Sequence, residues 1–235
     1  MVLPIVFLPG TLCDARLWQH QVASLSSRTA CHIGHYGVAQ TIDEMARNVL
    51  AHAPPKFILA GLSIGGIVAL EMWRQDPSRI QALALLDTNP HADTSERKAA
   101  RAVQLEYIKR GALNTLVEEI LIPAYLSGRQ QNDTEIRQCI HEMAHYLGPE
   151  AFVRHCRALD TRRDSMPTIS RINVPSLVLC GEEDRVCPPA WHIAMAGQLP
   201  RGRLVMIPGV GHLSALENPE AVTTQLTSFI ESASV

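Results

Sequence analysis

Several things are missing from this 235-residue sequence, and each absence removes a class of protein. No apolar run approaches the ~20 residues that a membrane-spanning helix needs. Neither charge is in large excess: 21 Lys and Arg stand against 23 Asp and Glu, a formal charge of -2, with acid and base mixed throughout. No nucleic acid, polyanion or membrane is therefore expected as a partner. The six cysteines, at 13, 31, 139, 156, 180 and 187, include no C-x-x-C pair, so free thiols in a reducing cytoplasm are expected. There is no internal repeat, low-complexity segment or flexible linker. The apolar start at residues 1–8 has no basic stretch before it and runs straight into Pro9-Gly10, so it reads as a core strand and not as a secretion signal. A chain of this length buries roughly 70% of its unfolded surface, and needs neither disulfide nor metal for stability.

What is present is an alternation of apolar runs and helical patterns. Apolar runs at residues 3–8, 29–33, 57–60, 80–86, 174–181 and 203–207 predict about six strands. Helices are expected after Asp14, from the capping box Thr41-Ile42-Asp43-Glu44, from residue 64 to Asp76-Pro77, over 189–199, and from Asn218-Pro219 to about 232. Continuous apolar strands alternating with helices argue an α/β fold: a mostly parallel sheet flanked by helices. From 91 to 170 the alternation stops, and helical patterns occupy 99–108, 113–121, 136–147 and 150–159. This predicts a core made of 1–90 and 171–235, with 91–170 as a helical cap inserted between two strands.

One junction organises the rest. The run Phe57 to Ala60 passes through Gly61-Leu62-Ser63-Ile64-Gly65 directly into a helical pattern. Small residues two before and two after Ser63 let strand and helix approach closely, holding Ser63 on a sharp turn at a helix N-terminus. Asp184 follows the strand that ends at Gly181, and His212 follows Pro208-Gly209-Val210-Gly211 after the last strand. A serine hydroxyl needs a base to act as nucleophile, and the base needs an orienting acid. Ser63, His212 and Asp184 can fill those roles; Asp87, also just after a strand, is the competing acid.

These motifs, in the order serine, acid, histidine and with Pro9-Gly10-Thr11 after the first strand, resemble the α/β-hydrolases, of the small capped serine esterase and lactonase type. The resemblance covers nearly the whole chain and is faintest in the insertion. The family often has His-Gly where this chain has Pro9-Gly10, and two strands commonly precede the one at 3–8. The resemblance implies hydrolysis of a small-molecule carboxylic ester or lactone through an acyl-Ser63 intermediate, with no cofactor. One oxyanion donor would be the Ile64 N–H, and the second the Thr11 or Leu12 N–H. Thioester, amide and C–C bond hydrolysis use the same triad and stay open, as does a non-catalytic ligand receptor on this fold.

The insertion holds a rival signal. His141-Glu142-Met143-Ala144-His145 matches the H-E-x-x-H zinc motif, which would make a zinc peptidase. The extended motif then has Ala151 where a third ligand should stand, and Pro149 breaks the helix, so no metal is expected and a polar helix face is the simpler reading. Tyr107 and Met143 are the candidate substrate contacts of the cap. Arg154, Arg157, Arg162 and Arg163 read as a solvated face, or else as a grip on a substrate carboxylate. Glu182 and Glu183 are expected to face solvent.

Overall fold

A computed structural model describes residues 3–233. Strand β1 (Ile5–Leu8) leads through a 3-10 turn (Ala15–Trp18) into α1 (Gln19–Leu25), followed by β2 (Cys31–Ile33) and α2 (Ile42–His52). Next come β3 (Phe57–Leu62), α3 (Ile64–Gln75) and β4 (Ile80–Leu86). The chain closes with β5 (Ser176–Gly181), α9 (Pro189–Gln198), β6 (Gly202–Ile207), α10 (Ser214–Glu217) and α11 (Pro219–Ala233). Between β4 and β5 the structure is helical: α4 (Ser95–Lys109), α5 (Leu113–Leu116), a π turn (Val117–Leu121), α6 (Ile122–Tyr125), α7 (Thr134–Asp160) and α8 (Met166–Ile169).

All six strands are parallel, in the order β2-β1-β3-β4-β5-β6. Their continuous apolar runs follow from burial on both faces. Alternate residues serve opposite layers: Ile5, Phe7, Ile58, Ala60 and Leu62 pack on one side of the sheet, and Val6, Leu8, Phe57 and Leu59 on the other. The capping box forms as the sequence implies, with the Thr41 hydroxyl accepting from Glu44 N–H and the Glu44 carboxylate accepting from Thr41 N–H. Asn218 Oδ1 likewise accepts from Ala221 N–H at the start of α11.

The largest departure from the expected elements lies in the insertion. The two helices expected at 136–147 and 150–159 form a single element, α7, kinked at Gly148, whose φ of 76° and ψ of 173° are not helical. Pro149 tolerates that position because the N–H it lacks would open the second half. Among the described residues, no helix is long and apolar enough to cross a membrane.

The strand order reverses between β1, which has β2 on one side, and β3, which continues toward β6. At such a switch point, loops leaving adjacent strands diverge and open a crevice at the carboxyl edge of the sheet. Thr11 leaves β1 and Ser63 leaves β3, on its two sides.

Candidate active site

The elbow after β3 is shaped by what cannot fit there. A Cβ on Gly61 would lie 2.3 Å from Gly65 O, and one on Gly65 would lie 2.3 Å from Leu8 O. Side chains at either position would force β1, β3 and α3 apart. Ser63 itself sits at φ 58° and ψ -120°, a conformation costing about 1–3 kcal/mol that the surroundings must enforce. Ser63 N–H donates to Leu86 O at 3.0 Å, and the Thr88 hydroxyl donates to Ser63 O at 2.6 Å. Leu12 and Asp87, after β1 and β4, also have positive φ, at 54° and 45°. The three strained residues thus leave three adjacent strands at one edge.

That edge brings Ser63, His212 and Asp184 together. Ser63 Oγ lies 2.9 Å from His212 Nε2, and His212 Nδ1 lies 2.9 Å from Asp184 Oδ2. Asp184 Oδ1 accepts from Val186 and Cys187 N–H, both at 2.8 Å. The acid therefore caps its own turn with one oxygen and holds the imidazole with the other. With Nδ1–H donating to the carboxylate, Nε2 is free to accept from the serine hydroxyl. His212 N–H donates to Tyr125 O at 2.7 Å, and its ring lies beside that of Tyr125, centroids 5.4 Å apart.

Asp87 does not reach the histidine. It is fully buried, with Oδ1 accepting from Gly181 N–H at 3.0 Å and Oδ2 taking the Ser214 N–H and hydroxyl. It ties β4 to the end of β5 and to Ser214, just past His212. Burial, and then the charge of Asp184, pushes its carboxyl well above the usual carboxylate range.

Supporting residues appear that no sequence motif signals. Glu217 accepts from Gly211 N–H at 3.0 Å and Ser127 N–H at 2.8 Å, stitching the histidine loop to the segment after α6. His192 Nε2 accepts from Thr88 N–H at 2.8 Å, and burial lowers its pKa to about 4. In the loop after β1, Tyr36 donates to Pro9 O at 2.7 Å, while Leu12 N–H points to His155 Nδ1 on α7 at 3.4 Å. Burial holds His155 neutral as well, with a pKa lowered to about 4.

Ser63, Thr11 and Ile64 open onto a cavity of about 230 Å³, whose far wall includes Leu121, Tyr125 and Phe152 from the helices between β4 and β5. Neither Tyr107 nor Met143 lines it. Met143 is fully buried in the core with Sδ 3.5 Å from Asp14 N–H, and Tyr107 packs against the same core. Glu183 is half-buried and accepts from Gly128 N–H, so only Glu182 of that pair faces solvent. Arg162 is not part of a solvated face: its side chain is 1% exposed and lines the Ser63 cavity, whereas Arg157 stays outside, bonded to Gln40. His141 and His145 border a larger, shallow groove of about 710 Å³ away from Ser63, where His141 pairs with Glu118 at 2.9 Å. No third ligand joins them: among the described residues, the triplets with metal-ligand geometry are Asp184, Cys187, His212 and Asp87, Cys180, Asp184.

The profile of the alpha/beta hydrolase family matches residues 5–225. This chain belongs to that family. It is 24% identical to the pimeloyl-[acyl-carrier protein] methyl ester esterase of Nitrosomonas europaea, over 92% of this chain and 91% of that one. Among solved structures it resembles a thermophilic esterase from Thermogutta terrifontis, described with malate bound, at a TM-score of 0.88 and 28% identity, covering 98% of this chain and 90% of that one. The enol-lactonase of Burkholderia xenovorans shares the fold at a TM-score of 0.84 and 23% identity, with 98% and 92% coverage. The hydrolase identity rests on the family match over residues 5–225, and the six-stranded parallel sheet agrees with it.

Proposed function

We propose that this hydrolase cleaves a carboxylic ester or lactone of a small molecule through an acyl-Ser63 intermediate. The observation that carries the reading is the hydrogen-bonded chain from Ser63 Oγ through His212 to Asp184, with both links at 2.9 Å and the serine facing a cavity. The names of the esterase relatives support the ester as the bond cleaved. In this reading residues 91–170 act as a cap over the sheet edge and supply the far wall of the cavity. Six unpaired cysteines support a reducing cytoplasm as its location.

The chemistry follows from the geometry. His212 Nε2 removes the proton as Ser63 Oγ attacks the carbonyl carbon, and returns it to the leaving alkoxide. Asp184 keeps Nδ1 protonated and offsets the imidazolium charge. Water then repeats the cycle against the acyl-enzyme. The oxyanion falls to two backbone donors. Ile64 N–H opens α3, where the first N–H groups have no acceptor within the helix. Thr11 N–H is the second donor in this reading, a choice supported by Leu12 N–H being turned toward His155 Nδ1. No step requires a metal or cofactor. Replacing Ser63 by Ala should lower kcat on p-nitrophenyl acetate by about 10³-fold or more while circular dichroism stays unchanged. A variant turning over at the wild-type rate would end this reading.

A further inference from the structure

The Ser63 cavity is one-sided in charge. Arg97, Arg101 and Arg162 line it, and no aspartate or glutamate does. Their counter-ions stand behind the wall. Asp93, with its side chain fully buried, meets all three: Arg101 Nη1 at 2.5 Å, Arg162 Nη2 at 2.9 Å and Arg97 Nε at 3.3 Å. Asp160 adds a contact to Arg101. Three cations thus share two carboxylates. The pairing is imperfect as well: Arg97 Nε, Arg162 Nη2 and Asp93 Oδ1, the oxygen that both nitrogens face, are buried, and none of the three makes a well-aligned hydrogen bond. Burial lowers the pKa of Arg162; Asp93 opposes that shift, and Arg97 and Arg101 each add less to it, while a guanidinium stays charged nonetheless.

Cations gathered in one buried cluster with imperfectly aligned hydrogen bonds are costly. Their guanidinium groups are also held in place before any ligand arrives. Arg162 Nε donates to His91 O at 2.9 Å, and Arg97 Nη1 donates to Val186 O at 3.1 Å while its guanidinium stacks on Trp191. Planar, pre-positioned guanidinium groups suit a planar, doubly accepting anion. We propose that Arg97, Arg101 and Arg162 form an anion subsite inside the Ser63 cavity, so that the ester or lactone cleaved here carries a free carboxylate. The small volume makes it a compact molecule, below the roughly 300–1,000 Å³ of most small-molecule pockets. This inference rests on the proposed acyl-Ser63 chemistry for its ester bond, but not for its anion.

Two measurements keep the two ideas apart. The first compares kcat/KM for monomethyl glutarate, which carries a carboxylate, with that for dimethyl glutarate, which is neutral. The wild type should prefer the anion by about tenfold or more, a value typical of one charge-assisted contact, and Arg97→Gln should remove most of that preference. Arg97 is the residue to change because its side chain is 32% exposed, whereas Arg162 is part of the buried network. The second measures binding of monomethyl glutarate to Ser63→Ala by calorimetry, with and without Arg97→Gln. Binding that weakens with Arg97→Gln supports the subsite even if neither ester were cleaved, an outcome that would instead defeat the acyl-Ser63 reading. Cleavage of both esters with no preference for the anion, or binding indifferent to Arg97, overturns the subsite and leaves the hydrolase reading standing.

Discussion

The loops at the carboxyl edge of the sheet and the helices between β4 and β5 face each other across one cavity, yet they are built differently. At the sheet edge, the proposed catalytic groups are held by backbone. Ser63 is fixed by its own strained turn, by Leu86 O and by a glycine frame that admits no Cβ, and Asp184 is fixed by the N–H groups of Val186 and Cys187, two and three positions further along the turn. On the helical side, the proposed anion subsite is held by side chains that converge from distant parts of the sequence: Arg97 and Arg101 from α4, Arg162 from just past α7, all on Asp93. The first arrangement is local and tolerates little variation. The second is a network in which one charge change alters every member.

That contrast orders the predictions. Breaking the sheet-edge side at its base should cost the most activity: His212→Ala should lower kcat by roughly 10⁴-fold or more if Ser63, His212 and Asp184 act as a unit. Steady-state kinetics on a neutral aryl ester measures this, and a loss under tenfold would contradict it. Next, Asp184→Asn should lower kcat by about 10²–10⁴-fold, since an amide cannot hold the Nδ1–H tautomer. Asp87→Asn should lose about tenfold or less, because its carboxyl is already pushed toward the neutral form by burial and asparagine still offers an acceptor. A reversed ranking would move the acid to Asp87.

Breaking the helical side should strike stability. Asp93→Asn leaves Arg162 and Arg97 without an ionised partner and Arg101 with Asp160 alone, and should cost about 3–5 kcal/mol in denaturant unfolding. A variant as stable as the wild type would mean that the cluster is solvated. A smaller effect lies at the seam between the two regions. His155 and His192 have pKa values of about 4 in the folded chain, below the ordinary 6.5. As pH falls below 6.5 the unfolded chain takes up protons that the folded chain refuses. Stability is therefore full above that pH and is lost toward pH 4, by up to about 3 kcal/mol for each histidine. His155→Gln should flatten part of the slope of unfolding free energy against pH. The least effect is expected from metal removal. Chelation, or His141→Ala, should leave ester hydrolysis unchanged, and activity lost in EDTA and regained with zinc would revive the metal reading.

The same contrast explains what the sequence reveals and what it hides. Gly61-x-Ser63-x-Gly65 is legible because a backbone constraint leaves residues at fixed spacing, and the order of Ser63, Asp184 and His212 is legible because each follows an apolar strand. The six-stranded α/β architecture is legible for the same reason. The choice between Asp184 and Asp87 is less so: both follow strands, and only the three-dimensional course of the His212 loop decides which carboxylate reaches Nδ1. The helical side is nearly illegible. Met143 belongs to the apolar stripe of α7, and a stripe tells which face is buried but not against what; this one packs on the core and not on the cavity. The arginine cluster has no motif, because its members lie up to 65 positions apart, from 97 to 162, and meet only through tertiary contact. His155 and Glu217, which brace the loops after β1 and β6, are hidden in the same way.

The most direct test of the account is where a fluorophosphonate lands. Its tetrahedral phosphorus resembles the acyl-transfer intermediate, so it should bond covalently only to a serine that has both a base and an oxyanion site. Peptide mass spectrometry of the wild type after stoichiometric reaction should place one adduct on Ser63 and none on any other serine, with no adduct in Ser63→Ala or His212→Ala. An adduct on a different residue, or a Ser63 that reacts equally well without His212, would contradict the claim that the Ser63–His212–Asp184 chain is the working site.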